Sequence, residues 1–505
     1  MNVIALIIGL LAGLGQTPPS LYVASTGSDA NDCRTPATAC ASFDLAYHLA
    51  APGEVVEIAG GTYPPQVFSD DASKTSPVDV VLRAAPGAKV TVGCDGPHNC
   101  LATDGADHLT VAEVSTAALP PINGMERQGG VSIDRGSADV TYSDIDAGHI
   151  FIAGRNSAVV GGDYGPTVDE VSKTSEDSGP NILIDGARFH DFQRDTGHME
   201  CIAVHGARKL TIRRSEFDTC SVFSIFFTPE PSQHFHDVLI ENNVFSNSSG
   251  IGMSAHVKVG SHGGDCTRFH IRNNTFVDDN VISDCGLGPD QGNAVDVRWI
   301  GNIFEDFDGG KCDFGGHVFD YNVIERGRGC GRHDRVVGDA RFVDRAALNF
   351  RLRAGSPAIN RGNPDDHPGT DIDGDVRPFG GAPDAGADEH GASGGTPDEA
   401  APGLTLTVAR RTRLGRLLRR GLRLRARCSE RCLVDATLEA RGRSEPVARI
   451  RARLRAGRPA RLALRVKRAA RAYLRAGGPR ITLKAAASDP IGNTRRVRRA
   501  LTVTP

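Results

Sequence analysis

Residues 238–245 read "VLIENNVF", and residues 269–276 read "FHIRNNTF". The pattern returns as "ILIDGARF" (182–189), "LTIRRSEF" (210–217), "VRWIGNIF" (297–304) and "VFDYNVI" (318–324). Aligned on Ile184, Ile212, Ile240, Ile271 and Trp299, the copies lie 28, 28, 31 and 28 residues apart. Each anchor is followed five positions later by Phe189, Phe217, Phe245, Phe276 or Phe304. A period of this size with one supersecondary unit per repeat specifies a solenoid. Apolar and polar residues alternate within each copy (Leu210 and Ile212, Val238 and Ile240), so the unit is made of strands. Three residues after the anchor comes Ser215, Asn243, Asn274 or Asn302, with Asn322 in the copy counted from Phe319. Asn tolerates a left-handed bend and can bond to its equivalent one coil away, so an Asn ladder is expected at a strand-to-strand corner. The fold class is therefore all-β, a parallel β-helix. Its outward residues alternate in sign, as Asp185, Arg213, Glu241, Arg272 and as Lys209, Asp237, Arg268, Asp296, which reads as a solvated face with charges paired between coils.

The chain is 505 residues long, too long for one ordinary core, and its charge is divided. From Ala401 onward there are 27 Arg and 2 Lys against 5 acidic residues, a net of +24, which leaves residues 1–400 at −27. The Gly-, Pro- and Ala-rich stretch 391–403, "GASGGTPDEAAPG", lies at the change of sign and reads as a linker. Residues 1–16 open an apolar run of signal-peptide length, and no later stretch is long enough to span a membrane. The twelve cysteines fall in close pairs: Cys33 and Cys40, Cys94 and Cys100, Cys201 and Cys220, Cys266 and Cys285, Cys312 and Cys330, Cys428 and Cys432. With no CxxC knuckle, they read as local disulfides of a secreted or extracellular protein rather than a zinc site, and a Cys285 to Cys312 link stays open.

The segment 21–63, "LYVASTGSDANDC…ASFDLAYHLAAPGEVVEIAGGTY", resembles the opening of secreted right-handed parallel β-helix proteins of the pectate-lyase-like superfamily, in which a short helix, here near Ser42 to Leu49, caps the coil. "NFRLRAGSPAINRG" and "TDIDGDVRPFGGAPDAGADE" (349–389) resemble the segment that closes such helices. The resemblance covers residues 20–390. Residues 404–505 are similar to the basic immunoglobulin-like modules that end many bacterial secreted proteins, and a small β-sandwich around Cys428 and Cys432 is expected there.

The superfamily resemblance implies action on, or binding of, polysaccharide. Its lyases use a Lys or Arg base, often with Ca²⁺ held by carboxylates, and its hydrolases use paired acids. The Asn-Thr-Asp, Gly-His-Asp and Arg-Ile-Lys strings of the polygalacturonase branch are absent. The best local candidate is "TGHMECIAV" at 196–204. Period-two alternation puts His198 and Glu200 on one face, with Asp195 upstream and Lys209 and Arg213 entering the next strand. As a lyase site, His198 would be the base and Arg213 or Lys209 the cation that neutralises a uronate carboxylate; as structure, the same residues tie down a corner beside Cys201. "AHVKVGSHGGDC" (255–266) offers His256, Lys258 and His262 in a Gly-rich excursion. Asp371, Asp373 and Asp375 in "TDIDGD" are candidate Ca²⁺ ligands, although Gly374 and the lack of a closing Glu depart from an EF-hand loop. Three readings stand: a lyase or hydrolase of acidic polysaccharide, a non-catalytic carbohydrate-binding or surface β-helix, and an extracellular scaffold. The expected partner is a polysaccharide or anionic cell-wall polymer, not nucleic acid, because the Arg-rich tail lacks interleaved aromatics. A monomer is expected.

Overall fold

The computed structural model describes residues 17–504 except 98, 169–170, 176–180, 194–198, 228–234, 249–250, 254–265, 278–281, 284–293, 308–311, 313–314, 393–399, 431, 444, 476–480 and 490–492. The chain divides into two compact units. One comprises Met1–Gly362, Asp371–Asp375 and Phe379–Gly394, and the other comprises Asn363–Thr370, Val376–Pro378 and Gly395–Pro505.

The first unit is a right-handed parallel β-helix. Three long sheets of 13, 12 and 9 strands are each extended one strand per coil, in parallel. One coil runs from Ile182–Asp185 in the first sheet to Arg188–Phe192 in the second, Ile202–His205 in the third, and back to Leu210–Arg213 in the first. Ile184 then stands against Ile212 and Phe189 against Phe217, so the 28-residue sequence period is the length of one coil. Handedness follows from the strand twist that makes parallel crossovers right-handed. The helix Phe43–Leu49, capped by the Ser42 hydroxyl accepting from the Leu45 N–H, buries Phe43, Ala46 and Tyr47 against the first coils.

Inside the second sheet the anchor-plus-five rings form a column. Centroids from Tyr164 through Phe189, Phe217, Phe245, Phe276 and Phe304 are 5.0, 5.2, 5.0, 4.7 and 5.0 Å apart. All six rings are fully buried. The corner between first and second sheets carries the expected ladder. Nδ2 of Asn243 donates to Oδ1 of Asn274, Asn274 to Asn302, and Asn302 to Asn322, at 3.0, 3.1 and 3.2 Å. The left-handed residue is one position earlier than expected. Arg214, Asn242, Asn273, Gly301 and Tyr321 have φ of 51 to 68°. The bend and the ladder are thus separate jobs: one residue turns the chain, and the next one, buried, satisfies the backbone groups of the corner.

The outward charges also differ from expectation. Asp185, Glu241 and Arg272 are buried. Nη2 of Arg213 and Nε of Arg214 donate to Asp185 at 2.7 and 2.6 Å, and Nε of Arg272 donates to Glu241 at 2.8 Å. Burial opposes the charge of Arg214, but Asp185, Glu241 and Asp371 hold its pKa above the ordinary value. The second series is exposed, and Lys209, Asp237, Arg268 and Asp296 are left-handed residues entering the first sheet, with φ of 56 to 61°.

The segment from Ala340 to Gly362 closes the unit by laying Phe342, Phe350, Leu352 and Ala358 over Val277, Ile303 and Val323 outside the second sheet. Acids knit the unit further along: Asp371 accepts from the N–H groups of Asp373, Asp375 and Glu389 at 2.8–2.9 Å. Five disulfides pair sequence neighbours as expected: Cys33–Cys40, Cys94–Cys100, Cys201–Cys220, Cys312–Cys330 and Cys428–Cys432. Cys266 is also disulfide-bonded, while Cys285 lies outside the described residues. No described helix is long and apolar enough to cross a membrane, and residues 1–16 lie outside the described residues.

In the second unit, a three-stranded sheet (Leu404–Val408, Leu422–Cys428, Ala460–Leu464) and a five-stranded one share one core, which includes Leu424, Val434, Leu438, Leu464 and Leu483. This arrangement is consistent with the expected sandwich.

Candidate functional site

The strands of the third sheet alternate. Phe68, Leu101, Ile133, Ile152, Val204 and Phe227 point inward. The residues between them form one outward column, in register from coil to coil: Val67, Ala102, Ser132, Phe151, Lys173, Ala203 and Phe226. Parallel strands space these side chains by about 4.8 Å. Val67 and Phe151 expose 46 and 38% of their surface, unusual for large apolar side chains on a rigid sheet. Further along, Phe226 stacks on Phe223 at 4.8 Å and 11°.

A groove of about 810 Å³ runs over this column from Val67 to Lys173, bordered by Pro65, Asp95, Asn99, Asp104, Asp134, His149 and Val171. Asp134 is fixed in place. Ser137 Oγ, Gly136 N and Gly105 N donate to it at 2.6, 3.0 and 3.1 Å. Burial raises its pKa, but the bonds from Ser137 and the two amides outweigh that, leaving it below the usual carboxylate value. Gly130 lets the backbone pass close to His149, since a Cβ there would lie 2.2 Å from the imidazole.

A second concavity, about 860 Å³, lies outside the second sheet beside the hairpin of Ala118–Ile122 and Met125–Gln128. Asp146 and Asp163 face it from adjacent coils. Burial and the charge of Asp163 raise the pKa of Asp146. Burial also raises that of Asp163, but His190 Nε2 at 3.0 Å and Arg188 at 3.3 Å bring it below the ordinary value. The hydrogen bond to Asp163 in turn raises the pKa of His190.

Of the residues singled out from sequence, Asp195 and His198 lie outside the described residues, as do His256, Lys258 and His262. Glu200 is buried, next to the Cys201–Cys220 bond and just ahead of the third-sheet strand Ile202–His205. Lys209 and Arg213 belong to the first sheet, where Arg213 is engaged by Asp185, so these two are not brought to the third-sheet face. Among the acids of "TDIDGD", Asp371 and Asp373 lie within 4.8 Å of each other and of Asp388 at their carboxylate oxygens, a triad that could hold a metal ion. Asp388 replaces Asp375, whose backbone N–H and C=O are both used by Asp371. Phe151, Lys173, Asp104 and Asp134 escaped the sequence reading. The strands that carry or precede them are only three or four residues long and lack the Asn-Phe marker, and Ile150, Phe151 and Ile152 are all apolar, so no period-two alternation marks Phe151 as outward.

No family model matches the chain, and no curated protein matches it. Solved structures do. Pectate lyase Pel9A is 16% identical, over 74% of this chain and 97% of that one, with a TM-score of 0.40. The alginate lyase AlyGC is 14% identical over 69 and 60%, with a TM-score of 0.32. The tailspike gp49 of Acinetobacter baumannii bacteriophage Fri1, a capsular polysaccharide depolymerase, is 11% identical over 90 and 74%, with a TM-score of 0.32.

Proposed function

We propose that this is a secreted, polysaccharide-active β-helix protein that seats a sugar chain along the outside of the third sheet. The observation that carries the reading is the groove over Val67, Phe151 and Lys173. A rigid floor there combines exposed apolar surface with convergent Asp, Asn and Lys side chains, which suits a ligand with apolar ring faces and hydroxyl edges. Lys173 favours a second, narrower reading, a lyase acting on uronate-containing chains, because elimination beside a carboxylate needs a cation to neutralise it. Asp95, Asp104 and Asp134 outnumber that lysine, so a uronate chain would need a bridging divalent cation, and Ca²⁺ dependence is its signature. His198 and Glu200, from the run that leads into the strand Ile202–His205, are proposed as the acid–base pair.

The test incubates the full chain with polygalacturonate, alginate and neutral xylan, with and without Ca²⁺. A lyase releases products that absorb as unsaturated uronates; a hydrolase releases reducing ends without that absorbance. Lys173→Gln and Phe151→Ala should weaken polymer binding about tenfold or more without lowering the melting temperature, since both side chains are outside the core. His198→Ala should abolish turnover with melting unchanged. Binding by the Lys173 and Phe151 variants equal to wild type, with no product from any polymer, would reject the reading.

A further inference from the structure

We propose that the second unit contains an arginine-lined cavity that binds the carboxylates of an acidic polysaccharide. The stretch 411–423, "RTRLGRLLRRGLR", supplies it. Arg411 and Arg413 sit two apart on the strand Arg411–Arg413 and share its exposed face. In the helix Leu414–Arg420, Leu417 is buried and Leu414 and Leu418 pack against the core, which turns Arg416, Arg419 and Arg420 outward. Gly421, at φ 70°, reverses the chain; any Cβ there would lie 2.4 Å from the Leu464 carbonyl oxygen. The next strand, Leu422–Cys428, begins with Leu422 buried and Arg423 exposed.

Three successive elements thus place six guanidinium groups around one cavity of about 800 Å³, and no acid lines it. Three of the unit's described acids are engaged elsewhere: Asp435 by Arg449 and Arg451, Glu439 by Lys484, and Glu445 by Lys467. Clustered like charges with no counter-charge repel one another, and an incoming polyanion relieves that repulsion. The guanidinium fork matches a carboxylate in two parallel hydrogen bonds, which a lysine cannot do. The cavity lacks the aromatic platforms on which bases stack, which disfavours single-stranded nucleic acid. The choice of a polysaccharide as the polyanion rests on the function proposed above. The net charge of −27 on residues 1–400 gives the cavity a use, because without a bridging cation that part of the chain repels the same polymer.

The experiment measures binding of the full chain to polygalacturonate, with inorganic polyphosphate and single-stranded DNA as competitors. For about four contacts, affinity should fall about 50-fold between 50 and 200 mM salt. The variant R416Q/R419Q/R423Q should lose at least about tenfold in affinity with its melting temperature not lowered. The R416K/R419K/R423K variant, which keeps charge but not the fork, should fall between that variant and wild type. The binding is measured in EDTA, where a uronate chain lacks the divalent cation that would bridge it to the groove's acids, so failure of the groove and failure of the cavity are read separately. Wild-type affinity in the glutamine variant, salt-insensitive retention, wild-type affinity in the lysine variant, or tighter binding of polyphosphate or DNA would each overturn the proposal.

Discussion

At the residue scale, the corner ladder is where one atom matters most. Nδ2 of Asn274 donates to the Ile240 carbonyl at 2.9 Å as well as to Asn302, and its Oδ1 accepts the Asn243 N–H at 3.0 Å. Asn274→Ala should cost about 1–3 kcal/mol for each buried group left unpaired, read as a lower urea midpoint at unchanged slope. The His190–Asp163 pair makes a pH prediction. His190 has a raised folded pKa, so its contribution is present below about pH 6.5 and is lost as pH climbs through the folded value. Asp163 is lowered, so its share is present above about pH 4 and is lost as pH falls. The melting-temperature gap between wild type and His190→Gln should therefore be widest between about pH 4 and 6.5 and close above neutrality. The ladder could be read from sequence because Asn recurs at one repeat position. The bend could not, because "NN" at 242–243 and 273–274 puts the same residue type in both jobs.

Elements hold together through the column of rings. Phe245 lies between Phe217 and Phe276, so Phe245→Ala removes two stacking contacts and leaves a cavity within the solenoid. The expected loss is about 3–5 kcal/mol, and Phe245→Leu should lose less, as measured by chemical denaturation. The closing segment makes a different prediction. The guanidinium of Arg351 is paired with Asp373, its Nε at 2.6 Å, beside Asp371 and Asp388. It already supplies positive charge to the triad, so Ca²⁺ should leave the wild-type melting temperature unchanged and raise that of Arg351→Gln. Ca²⁺ stabilisation of wild type alone would reverse this expectation. The coils from Ile182 to Ile324 were legible because each repeats one marker. Earlier coils were not, since their corners use Glu113, Asp144 and Gly161 and some of their strands span only two residues.

For the molecule as a whole, two compact units of opposite charge should unfold separately. Calorimetry on the full chain should resolve two transitions. Salt should raise the temperature of the basic unit's transition, because it screens repulsion among 27 arginines that only a few acids offset. A single transition unaffected by salt would argue against that division. The charge boundary near 391–403 was plain in the sequence, because composition reports net charge directly. The groove was not, because its residues come from five short strands whose alignment exists only once the coil is wound.

The coil-to-coil charge ladder Asp185, Arg213, Glu241, Arg272 makes the length of this protein a matter of parity. Excising the coil that carries Arg213 would seat Asp185 against Glu241, two carboxylates with no water between them. Excising the coils of both Arg213 and Glu241 would seat Asp185 beside Arg272 and restore an ion pair. Along this stretch, the helix can be shortened or lengthened by pairs of coils but not by one, so gene duplications that survive here should come in twos.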